Sequence, residues 1–168
     1  LKRPNSVGEK VIRQMYNQFL AKKKNYQPNP DLPWAIIVDL DGTLALFGNA
    51  NPYERDFLKD DLNAPVALIV SLINMLGYKV ILVSGRKESA RDQTVEWLGI
   101  NKVNYNNLFM RKADDNRKDV IVKQEIFEKH IRDKYNIKFV LDDRLQVCRL
   151  WYKLGLPILK IGDPDADF

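Results

Sequence analysis

Acidic, hydroxyl and basic residues gather directly after short apolar runs of this sequence. The polar segments are Asp39 to Thr43, Ser84 to Arg86 and Asp142 to Arg144, with the charged segment Asp114 to Lys118 between the last two. Crowded carboxylates repel one another unless a cation lies between them, and a hard divalent ion with oxygen ligands, Mg²⁺ above all, meets that need. The pattern therefore predicts a magnesium site.

The same residue types suit phosphoryl transfer. Because Mg²⁺ usually takes only one or two carboxylates plus substrate phosphate oxygens, another carboxylate stays free for covalent or acid–base work. Arg86 and Lys118 would neutralise charge on the transferring phosphoryl group. No Gly-x-x-x-x-Gly-Lys-Ser/Thr phosphate loop occurs in the sequence, so the chain is not a complete kinase.

Alternating apolar runs and helical patterns predict the elements that bring these segments together. Strands are expected at 35–38, 79–83, 107–110, 138–141 and 157–161, and helices at 65–76, 88–98, 118–131 and 144–154. Gly77, Gly99 and Gly155 are the expected helix stops. This order favours an α/β fold with a doubly wound parallel sheet, whose ligands bind beyond the carboxyl ends of the strands.

Composition and the N-terminal segment limit the classes to which the protein can belong. The 168 residues are 45% hydrophobic and 29% charged, which fits a domain with a buried core. No apolar run is long enough for a membrane span or a signal peptide, so we expect a cytoplasmic protein with no membrane partner. The net charge of +5 favours anionic partners such as nucleic acid.

Residues 1–33 are expected to form a unit separate from the domain at 34–168. Apolar residues at helical spacing over 9–24 predict one amphipathic helix, and the proline-containing stretch 25–33 predicts an extended linker.

The segment Asp39-x-Asp41-Gly42-Thr43-Leu44 resembles motif I of the haloacid dehalogenase-like (HAD) phosphotransferases, and the other motifs follow in the same order. The resemblance implies a HAD-like, Rossmannoid fold with a small cap insert at 45–63. It also implies that Asp39 attacks phosphorus and that Asp41 acts as general acid and base.

The resemblance also assigns the remaining motif residues. Ser84 takes the place of the hydroxyl residue of motif II, and Lys118 that of the motif III lysine. The implied metal ligands are Asp39, the Asp41 carbonyl and one of the acidic pair Asp142 and Asp143.

Longer segments at 84–86, 115–119, 125–130 and 142–147 resemble one branch, the 3'-phosphatase half of the phage polynucleotide kinase-phosphatases. This similarity covers residues 35–168. It implies that Arg86 and Asp115 are active-site residues and that Thr43, Gly85 and Arg117 contact the substrate.

The implied substrate is a DNA or RNA end that bears a 3'-phosphate. Residues 2–16 resemble the end of the kinase half, which implies a kinase domain ahead of this segment in the full-length protein. A phage-encoded protein of this kind would act in the host cytoplasm.

One position departs from that branch. The branch has an arginine in the loop before Pro52-Tyr53, where this chain has Ala50, and Arg55 is the candidate substitute.

Two alternative functions stay open. The first alternative is a small-molecule or mononucleotide phosphatase, because the motifs do not define the alcohol part of the substrate. The second is a metal-binding or nucleic-acid-binding module without turnover, which Ala50 favours and the retention of Asp39 and Asp41 opposes.

Overall fold

The computed structural model describes residues 8–11, 27–48, 51 and 55–163 of the chain. Most of the helix predicted at 9–24, Ala50 and residues 52–54 lie outside this part. The division of the chain at residue 34 stays a prediction, as does a cytoplasmic location. Within the described residues, no helix has the length and apolar character needed to cross a membrane.

Seven strands and four α-helices make up the described part of the domain. The strands are β1 (Trp34–Val38), β2 (Ala45–Leu46), β3 (Asp61–Leu62), β4 (Lys79–Lys87), β5 (Asn107–Arg111), β6 (Asn136–Asp142) and β7 (Ile158–Lys160). The helices are α1 (Ala64–Met75), α2 (Arg91–Ile100), α3 (Asp119–Ile126) and α4 (Leu145–Lys153).

The central sheet is parallel and has the strand order β5-β4-β1-β6-β7. Ala35 of β1 pairs with Lys79 of β4 on one side and with Ile137 of β6 on the other. The chain therefore winds outward from β1 in both directions, and the order reverses at β1. A crevice forms at the carboxyl end of a strand at such a reversal.

Both faces of the sheet are covered by helices. Alternate residues of β1 face opposite sides, because side chains alternate along a strand. Ile36 and Val38 belong to the apolar core that includes residues of α1 and α2, whereas Ala35 and Ile37 belong to the core that includes residues of α3 and α4. The doubly wound α/β fold predicted from the sequence is confirmed.

Two short antiparallel strands lie in the insert predicted at 45–63, of which the structure describes residues 45–48, 51 and 55–63. Ala45 of β2 pairs with Leu62 of β3, and a 3-10 turn at Phe57–Lys59 precedes β3. The indole N–H of Trp97 in α2 donates to the Asp60 carbonyl at 2.8 Å. We call the described residues of this insert the cap hairpin, and this bond ties it to the body of the domain.

Three elements end differently in the structure from the prediction. Strand β4 continues through Ser84, Gly85 and Arg86 to Lys87, with a shift of register against β5 after Ser84. Gly99 lies inside α2 rather than after it, and the chain turns away at Lys102, which has a φ of 53°. The helix predicted at 118–131 is α3 followed by a π-helical turn at Phe127–Ile131.

Candidate active site

Asp39 lies immediately after β1, at the crevice where the strand order reverses. Its backbone N–H donates to the Leu141 carbonyl of β6 at 2.9 Å, and the residue is 4% exposed. The ammonium of Lys123 is 2.7 Å from Asp39 Oδ1 and 2.9 Å from Asp142 Oδ2. A buried cation from α3 thus bridges carboxylates that follow β1 and end β6.

The lysine beside Asp39 is Lys123, and the assignment of this position to Lys118 is corrected. Lys118 immediately precedes α3 and is exposed, whereas Lys123 lies on the buried side of the helix. Because α3 begins at Asp119, Lys118 lies outside the helix. Lys123 lies inside it and shares a helix face with the apolar residues three and four positions away. Val122, Lys123, Ile126 and Phe127 are the buried residues of that face. A lysine among apolar residues at this spacing is the signal that would have identified it.

Asp39, Asp142 and Asp143 form a group that fits a divalent metal ion. One carboxylate oxygen from each lies within 4.8 Å of the others, and all three residues are buried. Ligands of one Mg²⁺ ion at its usual distances lie up to about 4.2 Å apart, so a small adjustment would complete the site. The donors are hard oxygens, as Mg²⁺ requires.

Thr43 holds the Asp143 carboxylate in this group, and Gly42 leaves the space that the carboxylate occupies. The Thr43 hydroxyl donates to Asp143 Oδ1 at 3.2 Å. Gly42 has a φ of 77°, and a Cβ at this position would overlap the Asp143 carboxylate. Glycine is required here for both conformation and space.

The electrostatics of Asp39 and Asp143 agree with a bound cation. Burial raises the pKa of Asp39 well above its usual range; Lys123 opposes this rise, and Asp142 and Asp143 add to it. Burial and the neighbouring Asp142 also raise the pKa of Asp143. A divalent cation among these carboxylates would favour their ionised forms.

The Asp41 carboxylate is held by two arginines. Arg86 donates to it from Nη2 at 2.7 Å and from Nε at 3.0 Å, and Arg55 donates to it from Nη2. The structure thus brings Arg55, the candidate substitute for the loop arginine, to the general acid implied by motif I. Its side chain is 5% exposed.

Asp60 of the cap holds both arginines, and sequence reasoning missed it. Its carboxylate accepts from Arg86 Nη2 at 2.6 Å and from Arg55 Nε at 2.7 Å. The ring of Phe57 lies 4.3 Å from the Arg86 guanidinium and 4.6 Å from that of Arg55. The cap hairpin therefore fixes the arginines that meet Asp41.

Ser84 and Gly85 line the end of β4. The Ser84 hydroxyl is fully buried and accepts the backbone N–H of Arg86 at 3.1 Å. A Cβ at Gly85 would lie 2.8 Å from Asp119 Oδ1. Asp119, the first residue of α3, in turn pairs with Arg111 at the end of β5 and with Arg144 after β6, and so joins these two strand ends. Asp119 was not among the residues predicted from the sequence.

Asp115 and Arg117, predicted for the active site, make contacts of another kind. Arg117 donates to Asp115 at 2.7 Å and to Glu125 at 2.6 Å, with its side chain 49% exposed. Hydrogen bonds from Arg117 lower the pKa of both carboxylates. These bonds connect the loop before α3 to the helix itself, and they do not involve Asp39 or Asp41.

The fold is the one found in HAD-like phosphatases. Two solved structures share the fold at low sequence identity. A class C acid phosphatase from Bacillus anthracis matches with a TM-score of 0.55 and 17% identity, over 71% of this chain and 55% of that one. A Mesorhizobium loti protein described as a HAD-like phosphatase matches with a TM-score of 0.53 and 15% identity, over 80% of this chain and 75% of that one.

The chain belongs to the family of polynucleotide kinase PNKP phosphatase domains, whose model matches residues 33–167. A protein of Autographa californica nuclear polyhedrosis virus, described as a bifunctional polynucleotide kinase/RNA ligase, is 35% identical over 158 residues. A chain of the Pnkp1/Rnl/Hen1 RNA repair complex is 39% identical, with a TM-score of 0.82.

These relatives are longer than this chain. The matched region is 90% of this chain but 23% of the viral protein, and 87% of this chain but 48% of the repair-complex chain. A second structure of the Pnkp1/Rnl/Hen1 complex matches at 40% identity and a TM-score of 0.80, over 84% of this chain and 50% of that one. The match to these proteins therefore concerns one domain of each.

Proposed function

We propose that this domain removes 3'-phosphate groups from nucleic acid ends during end repair, with Mg²⁺ as cofactor and a covalent aspartyl-phosphate at Asp39. The observation that carries the mechanism is the position of Asp39, which is paired with Lys123 and lies beside Asp142 and Asp143. The substrate is proposed from the family and from the descriptions of two relatives, one as a polynucleotide kinase/RNA ligase and the other as part of an RNA repair complex.

Asp39 would attack phosphorus from its carboxylate oxygen. Because the Lys123 ammonium lies 2.7 Å from Oδ1, it favours the ionised, nucleophilic form of a carboxylate whose burial otherwise favours protonation. Mg²⁺, held by Asp39, the Asp41 carbonyl and the acidic pair, would offset the repulsion between these carboxylates and the phosphate dianion.

Arg86 and Arg55 would bind the oxygens of the substrate phosphate. Both guanidiniums form ion pairs with Asp41 and with Asp60. Two oriented cations therefore lie next to the proposed general acid, where they would bind a phosphate dianion. Asp41 would give its proton to the leaving sugar oxygen and then take one from the water that cleaves the acyl phosphate.

We also propose that this domain works beside other end-processing domains in a longer protein, an N-terminal kinase among them. The support is that the matched region is under a quarter of a viral relative described as a kinase and ligase. Sequential removal and addition of phosphate at the two sides of a break would need both activities.

Phosphate release from matched substrates tests this proposal. We expect rapid release from DNA or RNA oligonucleotides with a 3'-phosphate, and much slower release from the same oligonucleotides with a 5'-phosphate and from 3'-mononucleotides. Chelator should stop the reaction, and Asp39→Asn should abolish it, because an amide is a poor nucleophile. Equal rates on all esters would favour the small-molecule alternative, full activity in chelator would reject the metal mechanism, and binding without turnover would favour the non-catalytic module.

A further inference from the structure

The Asp142 carboxylate receives hydrogen bonds from three directions. Its Oδ2 atom accepts from the Lys123 ammonium at 2.9 Å and from the indole N–H of Trp151 at 3.1 Å. Its Oδ1 atom accepts from the backbone N–H of Arg144 at 3.2 Å. Trp151 is fully buried in α4, on the second turn after the loop that carries the acidic pair.

We propose that Trp151 is a positioning residue for the phosphatase reaction: its indole N–H fixes the Asp142 carboxylate, which in turn fixes the Lys123 ammonium against Asp39. The inference depends on the proposed role of Asp39 as nucleophile. It adds a residue that touches none of the reacting atoms.

The geometry explains why the hydrogen bond from Trp151 to Asp142 would affect the position of Lys123 beside Asp39. The terminal torsion of an aspartate is soft, so a carboxylate keeps one orientation only when several bonds hold it. An ammonium has three donors, and Lys123 directs one to Asp39 and another to Asp142. Rotation of Asp142 would therefore draw Lys123 away from the Asp39 oxygen.

Packing alone does not require this bond. The Trp151 ring meets Phe127 edge to face, with 5.9 Å between centroids, and phenylalanine could fill much of the same space. A buried indole N–H does need an acceptor. Here that acceptor is the charged oxygen already bound to Lys123, which links the core to the active site.

Trp151→Phe, compared with Phe127→Leu, tests the proposal. The first change removes the N–H, and the second loosens the same contact but keeps the N–H. With an aryl phosphate as substrate, we expect Trp151→Phe to lower kcat roughly tenfold, as for loss of one hydrogen bond to a charged group, with little change in KM. Phe127→Leu should lower the melting temperature and leave kcat near that of the parent protein.

The second readout is the ammonium resonance of Lys123 in the metal-free, ¹⁵N-lysine-labelled protein. It should be visible in the parent and in Phe127→Leu, because Lys123 is buried between two carboxylates, and should shift or broaden in Trp151→Phe. If Trp151→Phe does not fold, benzothienylalanine at position 151 provides the same test, since it keeps the ring shape and lacks only the N–H.

Four results would each overturn the proposal. These are an unchanged kcat in the variant without the N–H, an unchanged Lys123 resonance in that variant, equal effects of Phe127→Leu in both measurements, and no Lys123 resonance in the parent. Failure to hydrolyse 3'-phosphorylated nucleic acid would instead reject the proposed substrate, while the aryl phosphate and resonance comparisons would still report on Trp151.

Discussion

Lys123 Nζ lies 2.7 Å from Asp39 Oδ1, and the two side chains are 1% and 5% exposed. A charge pair removed from water to this degree interacts strongly, and the loss of Lys123 would leave buried carboxylates without a compensating charge. Asp142 shares the same ammonium, so Lys123 is the cation on which two buried carboxylates depend.

Lys123→Met should therefore abolish activity, whereas Lys118→Met should leave it near that of the parent. We expect the first change to lower kcat by at least about a hundredfold and to destabilise the metal-free protein by about 3–5 kcal/mol, the usual result of breaking a buried pair. Lys118 is exposed and serves as the matched control. Steady-state kinetics and urea unfolding measure the two effects, and a greater loss of activity in Lys118→Met would restore the assignment made from the sequence.

The position of Gly42 gives a second prediction, about the metal site. Gly42→Ala should reduce activity and divalent-ion affinity together, because its Cβ would displace the Asp143 carboxylate. Gly77→Ala is the control, since Gly77 has a φ of 83° and open space where a Cβ would be. Both variants should lose about 1–2 kcal/mol from backbone strain, measured by unfolding. Calorimetric titration with Mg²⁺ separates them, and equal affinities would contradict the assigned role of Asp143.

Asp60 and its neighbour Asp61 provide a third comparison, at the cap. Asp60→Asn should weaken the hold on Arg55 and Arg86 and raise KM for phosphate esters roughly tenfold, as for a lost charged hydrogen bond. Asp61→Asn should have little effect, because Asp61 is exposed. Kinetics with two esters of different alcohols would check that the loss concerns the phosphate. Equal behaviour of the two variants would show that the cap carboxylate does not orient the arginines.

The sequence predicted the sheet and most of the polar residues that gather at the carboxyl ends of its strands, because those features follow from local patterns. The β-branched run at 35–38 identifies β1, and its end identifies Asp39 and Asp41. Lys123 was missed because its role depends on the residue at which α3 begins. Asp60 could not be separated from Asp61, since only the folding of the cap against Arg86 makes one buried and leaves the other exposed.

The raised pKa of Asp39 gives a prediction about pH and stability without metal. Because burial raises this pKa in the folded state, ionising Asp39 costs stability as the pH rises through the folded-state value, and the cost is absent below the unfolded-state value. Asp39→Asn should thus stabilise the chelator-treated protein at neutral pH and lose this advantage towards pH 4. Each unit of difference between the folded-state and unfolded-state pKa of Asp39 corresponds to about 1.4 kcal/mol.

Urea unfolding across the acid-to-neutral range measures this difference, with the exposed Asp133→Asn as control. Mg²⁺ should reverse the order of stability, because only the parent retains the Asp39 ligand. A pH-independent difference between parent and Asp39→Asn would contradict the raised pKa.

Asp41 gives the last prediction, which depends on the leaving group. As general acid, Asp41 should protonate the sugar 3'-oxygen, a strongly basic leaving group, whereas an activated aryl phosphate leaves with little help. Asp41→Asn should therefore slow ester cleavage far more than phosphorylation of Asp39 by the aryl phosphate. As the variant also lacks the base that activates water, the phosphoenzyme should accumulate. Rapid-quench labelling would detect it as an acid-stable, hydroxylamine-sensitive acyl phosphate, and equal slowing of both substrates without accumulation would remove Asp41 from this role.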